Sequence, residues 1–121
     1  MIKTYVHVLG VTYSITIKRF DEDPSFKEDS CDGYCWAATR EIVLLDPKTA
    51  PGNEKIRPSV CLKSMRWALR HEIVHAFFNE SGLCYDGLRY EGAWCKNEEM
   101  VDWFAVQGPK IYRAWREAGA L

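Results

Sequence analysis

Trp67-Ala68-Leu69-Arg70-His71-Glu72-Ile73-Val74-His75-Ala76-Phe77-Phe78 is a long, mostly apolar run holding two of the chain's three histidines. Its apolar residues wrap most of a helical circumference, which predicts a helix covered on two sides, by a sheet and by another helix. His71 and His75 are four residues apart. On a helix that spacing amounts to about 40° of rotation and about 6 Å of rise, so the imidazoles project side by side and can close on one ion. Glu72, one position on, falls on the flank of that face. A purely structural cluster is the plain alternative, but it would place three polar groups in an apolar setting where each needs a partner. The His-Glu-x-x-His spacing instead matches the chemistry of a divalent metal, with Glu72 as the base that activates a water.

Outward from this segment, Pro58 is suited to the first turn of the helix, with Ser59 a rival cap, and Gly82 supplies the stop after about Ser81. Residues 3–18 alternate in two runs rich in Val, Ile, Thr and Tyr, broken by Leu9-Gly10. They read as an antiparallel hairpin of strands 3–9 and 11–18. Asp21 to Gly33 reads as a polar loop, 39–45 as a third strand ended by Asp46-Pro47, and Pro47 to Pro58 as a second loop. Leu83 to Lys96 reads as irregular. A second helix is expected from Asn97 to Gln107, interrupted at Pro109 and resumed from Lys110 to Glu117. The fold class is therefore α+β: about three strands in a small antiparallel or mixed sheet, packed on the two helices.

With 121 residues, 47% hydrophobic and 13% aromatic, the chain reads as one globular domain, residues 1–121. A formal charge of −1 gives no basic footprint for nucleic acid. No apolar stretch reaches membrane-spanning length, and the N-terminus carries no secretory pattern, so the expected address is cytoplasmic. Five cysteines, Cys31, Cys35, Cys61, Cys84 and Cys95, are an odd number without an export signal. They read as reduced thiols rather than a disulfide framework; the alternative is a second zinc site built on Cys31 and Cys35 and completed by Cys84 and Cys95.

A catalytic zinc needs a third protein ligand, and no histidine follows His75. The second helix offers Glu98 and Glu99. Glu98 shares a face with Val101, Asp102 and Ala105, mostly small residues that allow close approach; Glu99 shares its face with Trp103 and Val106. Glu98 is therefore preferred, with Asp102 placed to accept a hydrogen bond from the non-ligating nitrogen of a ligand imidazole. An ordinary amphipathic helix with solvated acids would be the reading if the two histidines were absent. His7, Tyr85 and Tyr90 are candidates for an additional oxyanion donor. The scattered Trp67, Trp94, Trp103 and Trp115 read as core and interface anchors.

His71-Glu72-x-x-His75 followed by Asn97-Glu98-x-x-x-Asp102 resembles the gluzincin pattern of thermolysin-like zinc peptidases. The stretch from Glu98 to Ala105 is similar to the glutamate helix of ImmA/IrrE-type metallopeptidases. More broadly, the chain resembles short zincin-like proteins encoded by phages and mobile elements. The resemblance spans about Leu69 to Ile111. It implies Zn2+ held by His71, His75 and Glu98, supported by Asp102 and Asn97, with Glu72 as general base. The implied activity is that of a zinc-dependent endopeptidase acting on a protein or peptide substrate. It also implies that substrate adds to an exposed sheet edge, for which strand 39–45 is the expected provider. The alternative is a zinc-stabilised protein-binding module with little or no turnover.

Overall fold

The computed structural model describes residues 1–83 and 97–121. Strands β1 (Tyr5–Val8) and β2 (Val11–Lys18) form the expected hairpin, paired Val8 to Val11 at its closed end. Leu9 and Gly10 both hold positive φ, 48° and 85°. This is the requirement of a two-residue type I′ turn, whose twist matches that of the strands it joins. The chain then passes through a short 3-10 turn and the one-turn helix α1 (Ser25–Glu28) into β3 (Gly33–Trp36) and β4 (Glu41–Leu45).

Among the described residues the sheet has four strands rather than three, in the order β1-β2-β4-β3, with β2 and β4 parallel and the other pairs antiparallel. Two expectations are corrected here. The segment Gly33-Tyr34-Cys35-Trp36, at the end of the presumed loop, is a strand. Strand β4 is interior, so 39–45 cannot offer an edge; β3 holds that place. The reason lies in the Ile42-Val43-Leu44-Leu45 run, which is buried on both faces. Ile42 and Leu44 join Val8, Tyr13, Ile15, Ala68 and Ala76 on one side, and Val43 and Leu45 meet Phe26 on the other. A continuous apolar run without alternation marks a strand covered twice.

Gly33 is fixed by sterics. A Cβ there would lie 2.8 Å from the Val43 carbonyl oxygen, so only glycine lets β3 lie this close to β4. The neighbouring Tyr34 is tied down by Asp23, whose Oδ2 accepts from the Tyr34 hydroxyl at 2.6 Å and from Lys18 at 3.4 Å. The Ser25 amide donates to Oδ1 at 3.0 Å. The Tyr34 hydrogen bond, opposed by burial and helped by Ser25 and Lys18, holds the Asp23 carboxyl down at about 2. A depressed carboxylate stabilises the fold above its unfolded value near 4, and that contribution is lost as pH falls toward 2. Thermal melts followed by circular dichroism should therefore fall between pH 4 and 2, with a shallower fall in Asp23→Asn.

Helix α2 (Pro58–Glu80) begins with Pro58 in its first turn and Arg57 rather than Ser59 at the cap position, and ends at Ser81 with Gly82 at φ 85°. Its sheet-facing stripe is Ala68, Glu72 and Ala76, all buried at spacings of four. The far end of the helix is pinned to the sheet by the fully buried Tyr13, which donates to Glu80 Oε1 at 2.7 Å.

Helix α3 (Glu98–Glu117) packs on α2 and is unbroken at Pro109, contrary to the expected interruption. Proline removes the amide that would have bonded the carbonyl four residues back, that of Ala105. Arg70 Nε donates to this carbonyl at 2.9 Å. The neighbouring helix therefore supplies the missing donor, and the Ala105 carbonyl remains satisfied while the helix continues. None of the described helices is long and apolar enough to cross a membrane.

Candidate metal centre

Because α3 starts beside the middle of α2, its first turn faces the two histidines. Asn97 caps that turn by accepting from the Met100 amide at 3.0 Å, which orients Glu98. Asn97 itself serves as this cap and does not reach the imidazoles. Glu98 Oε2 lies 2.9 Å from His71 Nε2, and Oε1 lies 3.2 Å from His75 Nε2. The two Nε2 atoms are 3.1 Å apart. Donor atoms about 2.0–2.1 Å from one tetrahedral zinc are separated by about 3.3 Å. Two nitrogens and a carboxylate at nearly this spacing fit one divalent ion with a position left open.

Asp102, one turn further, has Oδ1 2.6 Å from His71 Nδ1. A carboxylate accepts here, so Nδ1 carries the proton and Nε2 keeps its lone pair toward the shared point. For His75, burial is the dominant influence and lowers the pKa, with Glu98 opposing. Burial thus favours the neutral ring, the form that binds metal. Replacing Asp102 with Asn should weaken zinc binding by about 10- to 100-fold, read by competition with a chromophoric chelator.

Glu72 differs from the other acids. It is 6% exposed, set between Ala68 and Ala76 on the sheet side of α2, and burial raises its pKa to about 7; His71 opposes this, while Glu98 and Asp102 add to it. Its carboxylate and the two histidines also form a possible metal-binding group, with ligating atoms within 4.8 Å of one another. Glu98 makes the shorter contacts with the two rings, and Glu72 is the buried acid of the set.

These groups line a cavity of about 600 Å3 whose opposite wall is β3 and the segment leading into it, with Asp32, Gly33, Tyr34 and Cys35. Glu99 lies apart, on a shallower hollow with Trp103 and Val106. His7 is on β1, at the sheet edge opposite β3, and bonds Thr12 at 3.0 Å. Tyr85, Tyr90, Trp94, Cys84 and Cys95, and the segment read as irregular apart from Leu83, lie outside the described residues. Cys31, Cys35 and Cys61 are free thiols. The sequence reading missed the cavity contributions of Asp29 and Asp32; their only signal was their place just before a strand it had not recognised. Compared with known protein families, curated proteins and solved structures, the chain matches none.

Proposed function

We propose that the chain is a zinc-dependent endopeptidase of zincin-like architecture. The observation that carries this reading is the convergence of His71 Nε2, His75 Nε2 and the Glu98 carboxylate, with separations of 2.9–3.2 Å, beside a buried acid that is not needed as a ligand. His71, His75 and Glu98 would hold the ion, and Zn2+ when bound supplies Lewis acidity toward a water and toward the scissile carbonyl. Asp102 holds the His71 ring in the ligating tautomer. Glu72 takes the proton from the attacking water and delivers it to the leaving nitrogen, a task suited to a carboxylate that lies beside the histidines without being needed as a ligand. Residues of β3 line the cavity, and this strand, terminal among those described, would pair with an extended substrate backbone.

The test is a zinc determination on purified protein, paired with hydrolysis of unfolded protein substrates before and after chelation. Near-stoichiometric zinc and proteolysis that is lost on chelation and restored by zinc support the reading. Zinc without turnover on any substrate would instead favour the binding module, and protein free of transition metal would end both.

A further inference from the structure

The groups that converge on the histidines come from two helices, so the site exists only while α2 and α3 keep one relative position. On the α3 side their apolar contact uses Val101 and Ala105, both small and buried. Such contact permits close approach but has no direction of its own, and it does not fix how far one helix slides along the other. The polar contacts do. Glu98 reaches His75 and His71, Asp102 reaches His71, and further along α3 the Ala105 carbonyl accepts from Arg70 Nε at 2.9 Å. This last contact differs from the others. It ties the residue next to His71 to a backbone atom, and it uses no group that would bind the ion. Inside a helix a carbonyl ordinarily belongs to the amide four residues on. Pro109 has no amide hydrogen, which frees the Ala105 oxygen for a donor from α2.

We propose that Arg70 is a positioning residue of the metal centre: bound to the oxygen that Pro109 leaves free, it sets the register of α3 on α2 at which Glu98 and Asp102 meet the histidines. The inference rests on the metal-binding part of the proposed function. A binding constellation must hold its donors to within about 0.5 Å. A hydrogen bond weakens steeply with distance and angle, so a bond to a fixed backbone oxygen restricts sliding more sharply than packing does. Arg70 is half-buried, which shelters the bond from competing water.

The test compares Arg70→Met, which keeps the stem and loses the donor, with Arg70→Lys, which keeps a donor, and with the double variant Arg70→Met/Pro109→Ala. In the double variant the amide of residue 109 bonds the Ala105 carbonyl within α3, so the backbone is satisfied while the link between the helices is absent. Zinc affinity is read by competition with a chromophoric chelator, at a temperature where circular dichroism shows each variant folded. The visible spectrum of the cobalt(II)-loaded proteins reads the coordination geometry. Arg70→Met should bind zinc about tenfold more weakly than wild type, a loss of the size expected for one hydrogen bond from a charged donor, and its cobalt spectrum should change. Arg70→Lys should recover most of the affinity. The double variant should regain the thermal stability lost in Arg70→Met yet remain weak in zinc binding; if Arg70→Met alone does not fold, the double variant carries the test. Wild-type affinity in folded Arg70→Met, a loss that Arg70→Lys shares in full, or an affinity that returns with stability in the double variant would overturn the proposal. The last outcome would reduce Arg70 to a partner for a stranded carbonyl. A wild type that takes up no zinc would end the metal-centre reading and this inference with it, whereas zinc uptake that these substitutions leave unchanged would remove this inference alone.

Discussion

Glu72→Gln is expected to lower kcat/KM by about two to four orders of magnitude, the usual contribution of a positioned general base, while zinc content stays at the wild-type level. The amide keeps the shape of the side chain but cannot take the proton. The substitution also separates catalysis from folding. Burial holds the Glu72 carboxyl up at about 7 in the metal-free protein. A raised acid destabilises the fold as pH climbs above its unfolded value near 4.5, because the native state then binds more protons than the unfolded chain. An uncharged Gln removes that penalty, so metal-free Glu72→Gln should melt no lower than wild type at pH 8. Activity and zinc lost together would mean that Glu72 is a ligand. Activity retained would mean that another group moves the proton.

The sequence made the two ends of this argument legible for different reasons. His71 and His75 could be read because helical geometry alone fixes their relation, whatever surrounds the helix. Glu98 and Asp102 could be read because small residues on their face permit close approach, and Val101 and Ala105 are indeed the buried positions of α3. Glu72 was read on the flank of the histidine face, and its carboxylate does lie within 4.8 Å of the ring nitrogens; its burial in line with Ala68 and Ala76 was the part not read. Strand β3 escaped because four residues including Gly33 and Cys35 give no alternation to count. The persistence of α3 through Pro109 was hidden for a stronger reason, since it depends on Arg70 in another helix meeting the Ala105 carbonyl, a tertiary contact that no local propensity encodes.

Those corrections change what the fold offers to a substrate. With β4 interior, the sheet edge on the cavity side is, among the described residues, β3, which Gly33 keeps close to β4 and which the Asp23–Tyr34 hydrogen bond anchors. The wall opposite the histidines is therefore a strand held by sterics and a buried acid. A preorganised edge of this kind lowers the ordering cost of an extended peptide.

Glu98→Ala is expected to weaken zinc binding by more than about 100-fold, beyond the range typical of a lost supporting carboxylate, because in the proposed site it removes one of three protein donors. Glu99→Ala should bind like wild type, since Glu99 lines a separate hollow. Isothermal titration and elemental analysis read the affinity, and the zinc dependence of the melting temperature gives an independent check. A ligand that binds only the folded protein stabilises it by about 2.7 kcal/mol at a hundred times its Kd, so the zinc-induced shift should vanish in Glu98→Ala and persist in Glu99→Ala. Glu98 is well exposed, at 64% of its side-chain surface, so alanine there should not unfold the metal-free protein. Paired with Glu72→Gln, the variant decides which acid completes the site. If Glu98 ligates, Glu98→Ala loses zinc and Glu72→Gln keeps it. If the wider group of His71, Glu72 and His75 holds the ion, the two results exchange. Catalysis then requires a different base, because a carboxylate coordinated to the ion is no longer free to carry the proton.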